Sequence, residues 1–285
     1  MFKTVRNYLP FISIPVAVAC SNVAFAEEPL RRANVYQSIN EVFINETEVS
    51  DEERLTPGDL LETGTDSRAD MLFNEGTLAR APSNTEFHFQ AGTRRFELTD
   101  GTALIILQPG SSERTLRTPT AEVTADAGTV FWVSYNPEAK QTRVGVFANP
   151  KTSVQVSGID PYADESVELE AGQVIDIVES SMSPTQVFSL PTFYETSGVA
   201  DGLRPSDDLS HYPSQMREIL ETAQENTSLA LQEQQEELQE EGNPSDNFEQ
   251  ETMEVDGVGT EWGEIDVIES ASEEDCGKFG LSCLF

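Results

Sequence analysis

The chain has 285 residues and a formal net charge of -34, from 51 acidic against 17 basic side chains, with 3 cysteines and 2 histidines. That length holds one or two domains. The charge repels DNA, RNA and anionic lipid, and two histidines with no cysteine near them give no zinc pattern.

Lys3 and Arg6 open the chain, an apolar run follows from Tyr8 to Ala19, and Ala24-Phe25-Ala26 sets small residues ahead of Glu27-Glu28. This is the layout of a secretory signal peptide over residues 1–26. The run falls short of the about 20 residues a membrane span needs. Cleavage after Ala26 is the preferred processing site. The alternative is Ala17-Val18-Ala19-Cys20, which resembles a lipoprotein signal with Cys20 as the lipid anchor, though Ala17 stands where leucine is usual. The mature chain is expected in the periplasm, at the cell surface or outside the cell. No other segment is apolar enough to cross a bilayer, so an integral membrane protein is not expected.

Residues 34–178 read as short strands broken by turns. Val144 and Val146 alternate with Arg143 and Gly145, Val154 and Val156 flank Gln155, and Val167 and Leu169 alternate with Glu168 and Glu170. Period-two alternation puts the apolar members on one face of a half-buried strand. Pro57-Gly58-Asp59, Asn74-Glu75-Gly76, Asp100-Gly101, Pro109-Gly110 and Ala171-Gly172 punctuate the runs with turn residues. Ala103 to Leu107 and Val130 to Val133 are continuously apolar, which predicts strands covered on both faces at the centre of the core. The expected fold is all-β, a sandwich or β-roll of many short strands.

Residues 179–212 read as a linker. A polar helix is expected over 213–242, from Pro213-Ser214 to the stop at Gly242-Asn243-Pro244, with Met216, Leu220, Ala223, Thr227, Leu231 and Leu238 near one face. The stripe is thin, and a solvated single helix is preferred over a partner-binding or coiled-coil one. Residues 243–285 form an acidic tail expected to be mostly disordered. Residues 201–285 carry 23 acidic and 3 basic side chains. Diffuse cation binding is the most this composition implies. In an oxidising compartment Cys276 and Cys283 can close a small loop.

One stretch is more specific. Gly58-Asp59 is followed by Thr63-Gly64-Thr65-Asp66-Ser67-Arg68-Ala69 and an apolar strand, then Asn74-Glu75-Gly76-Thr77, Arg80 and Ser83-Asn84-Thr85. Farther on stand Arg117-Thr118-Pro119-Thr120-Ala121 and Gly128-Thr129-Val130-Phe131-Trp132-Val133. In order and spacing these motifs resemble the signature of FecR domains. The residues have a physical reading of their own as turn formers, with Arg68 and Arg80 expected to pair with Asp59, Asp66 or Glu62; that structural reading is preferred to a ligand site.

The resemblance implies a sensing or signal-relay module of the periplasm. The family's iron-uptake regulators join a cytoplasmic anti-sigma segment and a membrane helix to the domain, and this sequence shows neither. The expected function is therefore a non-catalytic exported envelope protein that binds or scaffolds a protein or glycan partner. The alternative is a relay component acting in trans. No nucleophile-base set, P-loop or dinucleotide motif points to an enzyme, and no cofactor or metal is implied. A secreted hydrolase using His88 as general base is the competing class; His211 lies just ahead of the helix.

Overall fold

The computed structural model describes residues 29–149, 153–159, 166–179, 181–240, 251–253 and 265–268, with backbone alone from 238 onward. The expected signal peptide, Cys20, the two cysteines of the expected Cys276–Cys283 loop and most of the acidic tail lie outside the described residues.

The first strands are β1 (Ala33–Ile39), β2 (Val42–Ile44), β3 (Thr47–Glu48), β4 (Arg54–Leu55) and β5 (Leu61–Thr63). Next come β6 (Arg68–Phe73), β7 (Leu78–Ala81), β8 (Glu86–Phe89), the long β9 (Arg95–Ile106), β10 (Arg114–Arg117) and β11 (Ala121–Ala125). They are followed by β12 (Val130–Asn136), β13 (Gln141–Ala148), β14 (Val154–Gly158), β15 (Ser166–Leu169) and β16 (Gln173–Val178). The C-terminal part holds β17 (Ser181–Met182), β18 (Gln186–Phe188), helix α1 (Leu190–Thr196), helix α2 (Ser214–Glu240), β19 (Glu251–Met253) and β20 (Ile265–Ile268).

These strands make two packed sheets. The first runs β4-β1-β6-β7-β9-β12-β13-β16, then β17 and β18. The second runs β3-β2-β5-β8-β9-β10-β11-β14-β15, antiparallel throughout except for the parallel β9–β10 pair. Strand β9 serves both: Phe96 to Leu98 pair with β8 in the second sheet, and Gly101 to Ile106 pair with β12 in the first. The strand turns the corner at Gly101, whose φ is +77°; a Cβ there would lie 2.3 Å from the Asn84 carbonyl oxygen. Only glycine combines that backbone conformation with so close an approach.

Alternation fills the space between the sheets. Val35, Met71 and Phe73 from the first meet Phe87, Phe89, Phe96, Leu116 and Val123 from the second, all essentially without solvent exposure. Phe73 stands edge-on to Phe89 and Phe96 at ring-centroid distances of 5.1 and 4.9 Å. Such pairs add about 0.5–1.5 kcal/mol each to their area burial.

The two continuously apolar strands are covered on both faces, as their composition predicts. Ala103, Ile105, Phe131 and Val133 face the inter-sheet core. Leu104, Ile106, Val130 and Trp132 face the other way, into a second core under the helices. There Trp132 stacks on Phe193 of α1 at 6.0 Å, and Phe147 on Tyr194 at 5.5 Å. The Trp132 ring lies where a Cβ on Gly145 would come within 2.5 Å, so a bare backbone beside it is required.

Two expectations need correction. Residues 179–212 are not a linker: Phe188, Leu190, Phe193, Tyr194, Val199, Leu203 and Tyr212 are buried in this second core. Nor is α2 a solvated rod. Met216, Ile219, Leu220, Ala223, Thr227, Ala230 and Gln234 form a buried stripe at helical spacing, facing the first sheet. The stripe looks thin in sequence because Ala223, Thr227 and Ala230 are small, which lets the helix approach closely. Within the stretch expected to be disordered, β19 and β20 form a hairpin and β20 pairs with β18.

Candidate functional site

The signature residues gather at one end of the sandwich and on the helix-covered face of the first sheet. Asp59 accepts hydrogen bonds from the Thr56 backbone (2.8 Å), the Thr56 hydroxyl (2.6 Å) and the Asn45 amide (2.7 Å). Partial burial alone would raise its pKa, but these donors hold the carboxyl below the usual aspartate value. Thr63 donates its hydroxyl to the Pro82 carbonyl and accepts from Thr85 N–H at 3.0 Å. The Ser67 hydroxyl accepts from Glu41 N–H at 3.0 Å and donates to the Thr65 carbonyl at 3.0 Å. Asp66 and Asn84 take positive φ, +53° and +54°, as do Gly58, Gly76 and Gly128. Gly64 keeps negative φ but sits against Glu41, whose carboxylate a Cβ would meet at 2.7 Å. These residues shape turns that lock two loops together.

Arg68 and Arg80 do not pair with Asp59, Asp66 or Glu62. The β6–β7 hairpin sets Asp70 directly across from Arg80, with Ala69 across from Ala81. Both charged side chains point toward the helices, and both are fully buried. Arg80 grips Asp70 in a fork, Nε to Oδ1 at 2.7 Å and Nη2 to Oδ2 at 3.0 Å. Its Nη1 donates to the carbonyls of Val199 (2.8 Å) and Asp201 (2.5 Å), and Nη2 reaches the Tyr212 hydroxyl at 3.4 Å. Burial would lower the guanidinium pKa, but Asp70 more than offsets it, so the group stays charged above the ordinary arginine value. Arg68 adds contacts to Asp201 and Gln37, each at 3.2 Å. The arginines thus fasten the segment at 199–212 onto the sheet.

The later motifs are also structural. Thr118 caps its own turn, accepting from Ala121 N–H at 2.9 Å, and shares 2.6 Å hydroxyl contacts on Thr142 with Thr120. Pro119 lies exposed at the tip of that turn. The Gly128 carbonyl accepts from Asn226 of α2 at 3.1 Å, while Thr129 and Phe131 are buried beside it. His88 meets Glu97 across the outer face of the second sheet, and His211 lies against Tyr212 at 4.1 Å. The two histidines are on different faces of the molecule.

That outer face of the second sheet is the broad solvent-facing β surface. Glu62 and Glu86 stand opposite each other, as do His88 and Glu97; Arg117 lies between Glu97 and Glu122. Among the described residues, helices and the 197–212 segment cover most of the first sheet's outer side, and Val178 at its far end stays exposed. Among the described residues no group of three or more His, Cys, Asp or Glu side chains is placed to hold a metal ion, and no helix is long and apolar enough to cross a membrane.

The FecR protein family model matches residues 59–150. Two crystal structures of a candidate anti-sigma factor from Parabacteroides distasonis ATCC 8503 align at 15% identity and a TM-score of 0.38, covering 45% of this chain. The chain spans 59% of the length of those structures. A comparison with curated proteins gives no match. The matched segment begins at Asp59, runs through the Arg80–Asp70 pair and the Gly101 corner, and ends after β13, so it is this part of the chain that matches the FecR family.

Proposed function

We propose that this chain is a non-catalytic exported envelope protein whose FecR domain binds or scaffolds a protein or glycan partner. The observation that carries this reading is an asymmetry between the sheets. The first is covered over most of both faces, and its buried charges hold the cover in place. The second leaves one broad face open, lined by Glu62, Glu86, His88, Glu97, Arg117 and Glu122 across adjacent strands. A rigid sheet bearing alternating charge offers specificity to a partner through electrostatic complementarity. The signature side chains supply shape, and recognition falls to this surface. A second reading, signal relay in trans with a membrane partner, is favoured by the FecR match itself.

The test is proximity labelling of the exported full chain in its native cell, run beside a Glu97→Lys/Glu122→Lys variant that reverses two charges on the open face. Partners recovered with the native chain and lost with the variant support the binding reading. An identical set from both, or none reproducibly, refutes it. Release of product from glycan or ester substrates by the purified chain would refute the non-catalytic part.

A further inference from the structure

Strand β9 pairs with β8 as far as the corner, and the register breaks there. Phe87 stands opposite Leu98, but Glu86 stands opposite Asp100, so Thr99 is the extra residue of a β-bulge. On its other side Glu86 faces Glu62 of β5. Three carboxylates therefore follow one another across adjacent strands of the open face. Like charges set directly opposite each other on a sheet are destabilising. The Thr99 hydroxyl donates to Glu86 Oε2 at 3.0 Å, and Asp100 Oδ1 accepts from Gly101 N–H at 2.7 Å.

The surroundings of Asp100 do not answer its charge. Partial burial raises its pKa, the bond from Gly101 N–H lowers it, and Glu86 and Glu138 raise it again; the carboxyl ends above the ordinary aspartate value. Glu138 comes from the turn between β12 and β13, so both charged side chains in this balance are acidic. A raised folded value means that the folded chain takes up a proton sooner than the unfolded chain as pH falls. The stabilisation from that proton is complete below the unfolded aspartate value, about 4, and is lost as pH rises through the folded value.

We propose that Glu86 and Asp100 form a proton-operated clasp that regulates the open face. At neutral pH both are carboxylates, and they push β8 away from the corner of β9. In acid surroundings Asp100 takes one proton from solvent, and the new hydroxyl donates to the Glu86 carboxylate. The two strands are then tied through side chains as well as through the backbone. Strand β8 carries both Glu86 and His88, which pairs with Glu97, so the clasp sets how firmly these groups are presented. The regulatory part rests on the reading of the open face as the recognition surface; the clasp itself does not.

The experiment uses the purified full chain. Carbon-13 NMR of the Asp100 carboxyl follows its titration directly. The expected midpoint lies above that of ordinary aspartate and falls toward it in Glu86→Ala. A double-mutant cycle of Asp100→Ala and Glu86→Ala, read by urea unfolding, cancels the background charge of the chain. At pH about 7.5 the pair should be repulsive, by about two- to fivefold in the unfolding equilibrium constant, and at pH about 4.5 the sign should reverse. Amide exchange across Glu86–Phe89, corrected for its intrinsic pH dependence, should slow at the lower pH in the native chain and not in Asp100→Ala. An Asp100 midpoint at or below the ordinary value overturns the proposal. So does a coupling of the same sign and size at both pH values, or β8 exchange that responds equally in both chains. Proximity labelling judges the recognition surface separately. A clasp with no partner refutes the regulatory part, and a partner with no clasp refutes the device and leaves the recognition reading intact.

Discussion

Replacing Arg80 with methionine tests the central claim about the buried charges. Arg80→Met leaves the Asp70 carboxylate at 0% exposure without its fork, and leaves the Val199 and Asp201 carbonyls without their donor. Breaking a buried ion pair from one side costs about 3–5 kcal/mol. Each orphaned buried carbonyl adds about 1–3 kcal/mol. Arg68, with Nε 3.9 Å from Asp70, offsets part of the first term. A net loss of about 5 kcal/mol is expected, against a typical total of about 5–15 kcal/mol. Urea unfolding followed by circular dichroism measures it, and hydrogen exchange at 199–212 should rise first, because those carbonyls are released. The double variant Asp70→Leu/Arg80→Met removes both charges and should recover at least about 2 kcal/mol of the loss. Arg80→Lys keeps the charge without the fork and should fall between. A cost under about 1 kcal/mol for Arg80→Met, or a double variant as unstable as the sum of the singles, would refute the account.

Gly145→Ala pushes a methyl into the Trp132 ring, 2.5 Å away, and should cost about 1–3 kcal/mol by thermal denaturation with a changed tryptophan emission. Gln234→Leu cuts the amide bridge from α2 to Leu190 N–H (3.0 Å) and the Phe188 carbonyl (2.9 Å); a loss of about 1–3 kcal/mol, with faster exchange confined to α1 and β18, checks it. Asp59 has a depressed pKa when folded, so its contribution is present above pH about 4 and disappears as pH falls through the folded value. Asp59→Asn should therefore be less stable than the native chain at pH 7, and the difference should shrink as pH falls below about 4 in urea titrations. Burial holds the Tyr194 phenol protonated above the ordinary tyrosine value. Its stabilisation is complete below pH about 10 and is lost above it, so Tyr194→Phe should flatten the alkaline fall in melting temperature.

Much of the sandwich was legible because alternation and turn chemistry are local. The runs at Ala103–Leu107 and Val130–Val133 announced double coverage, and the structure supplies a core on each side of them. What covers the second side was not legible. Phe188, Phe193, Tyr194 and Leu203 are spaced by no single period, because α1 is only 7 residues long and the rest is turns. On α2, small residues and a buried glutamine mimic a solvated helix. The Arg80–Asp70 pair could have been found: the turn at Asn74-Glu75-Gly76 centres a hairpin on Glu75, and residues five places to either side then face each other. Long-range docking of Arg80 onto Val199 and Asp201 carries no comparable local signal.

The corner at Gly101 has a mechanical meaning. Because Phe96–Leu98 and Thr102–Ile106 are one covalent strand, tension applied to either layer passes along the backbone into the other. The sandwich has no slip plane at that seam. A partner pulling on the open face would load the strands that carry the helical cover, and the two layers should yield together under force as one cooperative unit.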